Sequence, residues 1–327
     1  MTEAGIDAGL DPLTRIAIAC GTDKWGAHLY TPDYHRMLGH RRHDKLRLLE
    51  IGVGGYKAKQ LGGRSLRMWA EYFPNAEVTG LDIFEKQLDL GPRVKIVQGS
   101  QDDTELLQKL SEERGPFDIV IDDGSHIVSH VLATFEYLFP LLAADGIYAV
   151  EDVQTAFWPA YGGNTAGANT IITRMGTLIR AMHADEVSAM GGVPLDTKWG
   201  DLVSGVHFFR NVVLVQRGPN DYPSNGRFDP TRPSFGRALR ELEAEMSQSP
   251  SEGGTFIRAQ MMQLSGQLPL ALGVATAGIS RYPQSLDLVV VALKLATKLK
   301  RDKDIKLLQA RLAQLMTDPA VDLEAEE

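Results

Sequence analysis

The sequence predicts an α/β protein: a mostly parallel sheet wrapped by helices and closed by an antiparallel hairpin, followed by a C-terminal all-helical domain. Three observations carry this reading. Short apolar runs alternate with stretches of helical period over the first two thirds of the chain. Those runs are apolar almost without interruption, as strands covered on both faces are. A Pro-, Gly-, Asn- and Asp-rich stretch then separates them from a tail with helical spacing only.

Taken in order, Arg47–Gly52 (RLLEIG) is a strand that ends in glycine. Ser65–Tyr72 is a helix stopped by Pro74. Ala76–Ile83 and Val94–Gln98 are the second and third strands, and Thr104–Glu113 is helical. Asp118–Ile121 is a fourth strand, and Val128–Leu142 a helix with Ser125 or Ser129 available as its cap. Gly146–Val150 is a fifth strand, Pro159–Asn164 a loop and Thr170–Ala184 a helix. Val206–Arg217 (VHFFRNVVLVQR) is a closing hairpin that turns at Arg210-Asn211.

Gly218–Pro233 is the linker, which divides the chain into domains 1–225 and 226–327. Helices follow over Phe235–Met246, Thr255–Leu264, Leu268–Arg281, Ser285–Leu299 and Asp304–Met316. The pair LALGVATAGISRYP and SLDLVVVALKLATKL resembles a tetratricopeptide-type hairpin. A plain helical bundle is the alternative.

Bulk properties bound the function. The 327 residues allow one large and one smaller domain, and a hydrophobic content of 43% supports a packed core. The net charge of −8 gives no general nucleic-acid surface. Cys20 is the one cysteine, which excludes an intrachain disulfide framework and a thiolate zinc cluster. The N-terminal MTEAGIDAGLDPLTR has no basic or apolar segment of a secretory signal, and Leu286–Ala296 is too short to span a bilayer. The expectation is a cytoplasmic protein without membrane insertion.

Two constellations carry chemistry. In Glu50-Ile51-Gly52-Val53-Gly54-Gly55 the glycines admit a ligand close to the backbone. Asp82, ending the second strand, is placed to accept ribose hydroxyls. Lys57 stands where a dinucleotide fingerprint needs its third glycine, so a nucleoside cofactor without pyrophosphate fits better. S-adenosylmethionine is such a cofactor. Glu50 would belong to a network near its amino-acid end, and Ser100, Gln101 and Asp102 lie where an adenine edge would be read.

The second constellation is FDIVIDDGSHIVSH, with Asp122 and Asp123 at the end of the fourth strand and His126 close behind. Glu151 and Asp152 end the fifth strand. If these strands are neighbours, three or four carboxylates converge, and they repel one another unless a positive charge sits among them. Oxygen ligands favour Mg2+, Ca2+ or Mn2+ over zinc. A neutral imidazole at His126 is a competent base for a hydroxyl acidified by such an ion. The deprotonated oxygen would then take the sulfonium methyl.

The blocks GTDKWGAHLYTPDYHRML, LLEIGVGG, GGRSLRMWAEYFP, GLDIF, FDIVIDDGSH and EDVQTAFWPAYGG resemble the metal-dependent sugar O-methyltransferases of antibiotic biosynthesis. These are of the mycinamicin VI 2''-O-methyltransferase and rhamnosyl O-methyltransferase type. The resemblance runs from about Ile18 to Arg217 and implies a class I, Rossmann-like methyltransferase domain. It implies metal ligands at Asp123, Glu151 and Asp152, a catalytic base at His126, and Mg2+ as the ion. It leaves Asp122 to support the cofactor side of the loop, although Asp122 and Asp123 are not separable by sequence. It also implies a covering role over cofactor and acceptor for Thr22–Tyr34, with Trp25, Tyr30 and Tyr34 either lining the site or packing on the domain. Trp158 and Tyr161 either stack on a sugar face or anchor their loop. Relative to the macrolide enzymes, the sequence shows no large N-terminal domain and adds the helical tail, a candidate surface for self-association or a protein partner. The expected function is methyl transfer to a deoxysugar hydroxyl on a natural product or glycan. Two rivals are a non-catalytic scaffold that binds the cofactor and recruits a pathway partner, and an NAD-linked sugar oxidoreductase.

Overall fold

The computed structural model describes residues 9–194, 196–221 and 229–317. The N-terminal residues 1–8, residues 222–228 of the expected linker and with them the expected domain boundary at 225/226 lie outside the described residues. The chain divides into two compact units, one of residues 1–184 and 193–220, the other of residues 185–192 and 221–327.

The first unit opens with α1 (Pro12–Cys20) and α2 (Thr31–Leu38), two helices absent from the sequence reading. Asp11 caps α1 by accepting from the Thr14 amide at 2.9 Å, Pro12 occupies its first position, and Gly21 ends it with a left-handed φ of 67°. Then come β1 (Arg47–Ile51), α3 (Arg64–Tyr72), β2 (Glu77–Asp82), β3 (Val94–Gln98) and α4 (Thr104–Arg114). After them follow β4 (Ile119–Asp122), α5 (Val128–Leu138), β5 (Ile147–Glu151) and α6 (Ile171–Met182); α7 (Ala184–Ala189) comes next in the chain but belongs, past its first residue, to the second unit, and β6 (Val203–Phe209) and β7 (Val212–Arg217) complete the first. The expected long helix after the fourth strand stops at Leu138 and tightens into a 3-10 turn, Phe139–Leu141, because Pro140 cannot continue the hydrogen-bond ladder. Neither expected serine caps α5. Ile127 takes that position, and Ser125 accepts its amide instead.

The sheet runs β3-β2-β1-β4-β5-β7-β6. The first five strands are parallel, and β7 joins β5 antiparallel with β6 as its hairpin partner. The chain leaves β1 outward through β2 and β3, then returns to place β4 on the other side of β1. The strand order therefore reverses between β1 and β4, and their carboxyl ends flank a crevice.

Alternation along the strands splits the core into two layers. Leu48, Val78, Ile119, Ile121 and Ala149 face one layer with Leu13, Tyr34, Leu66, Trp69 and Phe73 from α1, α2, α3 and the turn after α3. Leu49, Ile51, Val120, Tyr148 and Val150 face the other with Leu107, Phe135 and Met175 from α4, α5 and α6. Period-two pointing on a strand covered on both sides makes every position apolar, which is why these runs were legible as strands.

The second unit holds α8 (Pro233–Gln248), α9 (Glu252–Leu264), α10 (Leu268–Arg281), α11 (Leu286–Lys298) and α12 (Asp302–Thr317). Each of these helices packs on the next. Ala259, Ala271, Ala275, Ala292 and Ala296 sit among Leu272, Val291 and Leu295 in its core. Small side chains there let the helix backbones approach. Ser251 and Ser285 cap α9 and α11. Among the described residues, no helix is long and apolar enough to cross a membrane.

Candidate active site

The site is built at the carboxyl ends of β1, β4 and β5. The chain leaves β1 at Gly52 with φ 95°, and a β-carbon there would lie 2.0 Å from the Asp123 carbonyl oxygen. Only glycine lets the β1 and β4 ends approach this closely. The loop is tied to β2: the Val53 amide donates to Asp82 Oδ2 at 2.9 Å and the Phe84 amide to Oδ1 at 2.8 Å. Each Asp82 oxygen keeps a further lone pair for a ligand. Gly54 and Gly55 follow with φ of 77° and 74°. Glu50 is fully buried beneath, accepting from Ser65 Oγ at 2.8 Å and Trp69 Nε1 at 3.2 Å.

At the end of β3, Ser100 donates to Asp102. Gln101 is buried and knits the neighbouring loop. Its Nε2 donates to Asp122 Oδ1 at 3.0 Å and Thr134 Oγ1 at 3.2 Å, and its Oε1 accepts the Ser125 amide at 2.7 Å. Asp122 also accepts from the Tyr148 hydroxyl at 3.2 Å. Burial pushes its carboxyl up to about 7. The two adjacent acids thus part company: Asp122 turns inward, and Asp123 stands at the crevice.

Strand register brings the remaining acids together. Asp122 pairs with Val150, so Asp123 comes level with Glu151. One ligand atom from each of Asp123, His126 and Asp152 lies within 4.8 Å of the others. His126 Nε2 is 3.6 Å from Asp152 Oδ2 and 4.0 Å from Asp123 Oδ1. Both His126 and Asp152 adopt left-handed backbone, with φ of 57° and 50°. Such strain persists where surrounding structure imposes it, commonly at functional sites. The carboxylates of Asp123 and Asp152 suit a hard divalent cation, and the His126 imidazole stands within reach of the same point.

The positive charge that the acids require is Lys24, a residue the sequence reading missed. Its side chain is 1% exposed, and its ammonium lies 2.8 Å from Glu151, 2.9 Å from Asp123 and 3.2 Å from Glu50. The other Glu151 oxygen accepts from the Tyr34 hydroxyl at 2.7 Å. Burial works against the Lys24 charge, but Asp123, Glu151 and Glu50 outweigh it and hold the ammonium protonated. Burial pushes the carboxyls of Glu50 and Glu151 up, against the pull of Lys24. Asp152 behaves differently. Burial acts to raise it, yet the hydrogen bonds from Tyr30 and Gln154, with the imidazoles of His126 and His28, carry it below the ordinary value. A signal for Lys24 was present: carboxylates converging in a core need a counter-charge, and this lysine stands within the GTDKWG block.

The segment from Thr22 to Tyr34 delivers more than lysine. The Tyr30 hydroxyl donates to Asp152 Oδ1 at 2.7 Å, and His28 stacks on Tyr30 with Nδ1 3.7 Å from the same oxygen. Tyr34 meets Trp69 edge-on at 5.2 Å. Tyr30 and Tyr34 are buried, and Trp25 packs against the same core. Beyond β5, Tyr161 lies 6.3 Å from the His126 ring and 5.9 Å from Trp158, which is 48% exposed. The structure therefore gathers Glu50, Asp123 and Glu151 around Lys24 and sets His126 and Asp152 beside Asp123, with Gly52 and Asp82 on the adjoining strand ends. Tyr161, half-buried, lies beside His126, and Trp158 next to it presents open ring surface.

No family model matches the chain. Over 212 residues it is 41% identical to the 8-demethyl-8-(2-methoxy-alpha-L-rhamnosyl)-tetracenomycin-C 3'-O-methyltransferase of Streptomyces olivaceus, covering 64% of this chain and 54% of that enzyme. Over 225 residues it is 38% identical to the mycinamicin VI 2''-O-methyltransferase of Micromonospora griseorubida, covering 67% of this chain and 55% of that enzyme. The chain thus spans about half the length of the curated relatives it matches. Among solved structures, the MycE methyltransferase of the mycinamycin pathway in complex with Mg, SAH and mycinamycin VI matches with a TM-score of 0.58 at 38% identity. That match covers 64% of this chain and 56% of that one. The resemblance to sugar O-methyltransferases and the class I methyltransferase sheet, both expected from the sequence, are thereby borne out.

Proposed function

We propose that this chain, related over about two thirds of its length to rhamnosyl and macrolide sugar O-methyltransferases, is itself a Mg2+- and S-adenosylmethionine-dependent O-methyltransferase of a deoxysugar hydroxyl on a natural product or glycan. The observation that carries the reading is the convergence of Asp123, His126 and Asp152 at the strand-order reversal, beside the glycine loop.

In this reading S-adenosylmethionine lies over Gly52, Gly54 and Gly55. Asp82 offers its free lone pairs to the ribose, and Ser100 and Gln101 border the adenine. Glu50 supports the amino-acid end from beneath, and Asp122 holds the loop of His126 through Gln101. Asp123 and Asp152 would hold a divalent ion, with Glu151 joining them through lone pairs that Lys24 and Tyr34 leave free. Bound there, the ion supplies charge that acidifies a hydroxyl beside it. His126 is placed to receive the acceptor proton at Nε2; the oxygen so freed would bond to the methyl carbon as the carbon–sulfur bond of the sulfonium breaks, leaving the thioether S-adenosylhomocysteine. Trp158 and Tyr161 offer faces for the sugar ring, whereas Trp25, Tyr30 and Tyr34 pack on the domain, Tyr30 and Tyr34 reaching the site only through their hydroxyls on Asp152 and Glu151. The helical unit is available for self-association or a protein partner.

The test is transfer of labelled methyl from S-adenosylmethionine to a panel of rhamnosylated and other deoxysugar glycosides. Transfer that stops with EDTA and returns with Mg2+ supports the reading; full activity in chelator removes the metal from it. Cofactor binding with no turnover on any acceptor favours the scaffold instead. Calorimetric binding of NAD in place of S-adenosylmethionine favours an oxidoreductase.

A further inference from the structure

We infer that Lys24 is a positioning residue of the metal site: its ammonium presents Asp123 to the ion and joins the metal carboxylates to the cofactor cradle. The inference rests on the metal-dependent reading above and extends it to a residue outside the expected ligand set.

Lys24 contacts three carboxylates from three strand ends: Glu50 of β1, Asp123 just beyond β4 and Glu151 of β5. It takes Asp123 by Oδ2, which leaves Oδ1 on the side of His126. It takes Glu151 by Oε2, while Tyr34 takes Oε1. Both acids are therefore fixed in rotamer before any ion arrives, and preset ligands bind metals more tightly than ligands that must first be ordered. The lysine is itself held. Its amide donates to Thr22 Oγ1, and its carbonyl accepts the amide of Tyr30, the residue whose hydroxyl grips Asp152. One short segment thereby aims acids from both β4 and β5. The link to Glu50 places the same ammonium under the glycine loop.

A buried lysine beside acids could serve charge balance alone, since removing one member of such a group leaves the others uncompensated. The two roles separate experimentally. In Lys24→Met the counter-charge and the positioning are both lost. In Lys24→Met/Glu50→Gln one negative charge is removed along with the positive one, so balance is restored and the positioning is still absent.

The measurement is calorimetric Mn2+ affinity of the full chain, with the melting temperature recorded for each variant. The proposal expects both variants to bind Mn2+ about tenfold or more weakly than wild type, the double variant doing so while melting near the wild-type temperature. A double variant with wild-type Mn2+ affinity reduces Lys24 to charge balance and overturns the proposal. Wild-type affinity in the single variant overturns it as well, as does failure of both variants to fold, which makes the role structural. Absence of Mn2+ binding by the wild type sinks the metal-dependent reading itself, and this inference with it.

Discussion

The Tyr30 hydroxyl and the Asp152 carboxylate meet at 2.7 Å, joining residues 122 positions apart in the chain. The bond anchors the segment after α1 to the end of β5 and holds an acid whose backbone is left-handed. Hydrogen bonds to charged groups contribute about 1.5–3 kcal/mol. Tyr30→Phe should therefore destabilise the protein by about 2 kcal/mol at neutral pH. Because Asp152 sits below its ordinary value in the folded state, its contribution is present above the unfolded value and is lost as pH falls through the folded one. Urea titrations should show the variant's deficit shrinking as the pH is lowered past 3.8. A deficit independent of pH would mean that the bond does little for Asp152.

Asp122 should have the opposite dependence. Its carboxyl stands at about 7 in the fold against an ordinary 3.8, so the folded chain retains a proton that the unfolded chain releases. The stability this group contributes is complete below 3.8 and is lost as pH rises to about 7, a change on the order of 4 kcal/mol. Asp122→Asn removes the titration while keeping the shape. Its unfolding free energy should fall less than the wild type's between pH 4.5 and pH 8. Parallel curves would refute this.

His126 carries both a proposed proton-transfer role and a strained backbone, so the replacement must tolerate left-handed φ. Asparagine does. His126→Asn should lower turnover by about 10²–10⁴-fold, with S-adenosylmethionine affinity nearly unchanged. His126→Ala should abolish transfer, at some additional cost in stability. Normal turnover in either variant removes His126 as the base.

Gly52 is the point where β1 and β4 touch. A methyl group there meets the Asp123 carbonyl at 2.0 Å, on a backbone with φ 95°. Gly52→Ala should cost about 3 kcal/mol by combined strain and overpacking. It should also weaken S-adenosylmethionine binding, because the loop and the Asp123 turn shift together. Wild-type cofactor affinity in this variant would separate the loop from the ligand.

Much of the fold was legible because its signals are local. The runs RLLEI and VKIVQ, and the hairpin at Arg210-Asn211, announce strands through apolar continuity and turn chemistry. The helices of the tail stand out by period, although the Ser251 cap starts α9 at Glu252, ahead of the expected Thr255. The helices α1 and α2 escaped because each spans about two turns, too short for a periodic pattern to stand above the noise. Their cap and proline signals, Asp11 with Pro12 and Pro32 after Thr31, were nevertheless present.

The sequence by itself determined which acids, which histidine and which glycines stand at strand ends, since alternation and apolar runs are properties of neighbouring residues. Only the tertiary structure decided how those groups divide their work. Strand pointing turned Asp122 inward and Asp123 outward, and the β4–β5 register set Asp123 level with Glu151. The fold also drew Lys24, 99 residues from Asp123 and 127 from Glu151, into their midst. The physical reason is that a charge balance inside a core is a sum over groups brought together from distant parts of the chain, and no local pattern records that sum.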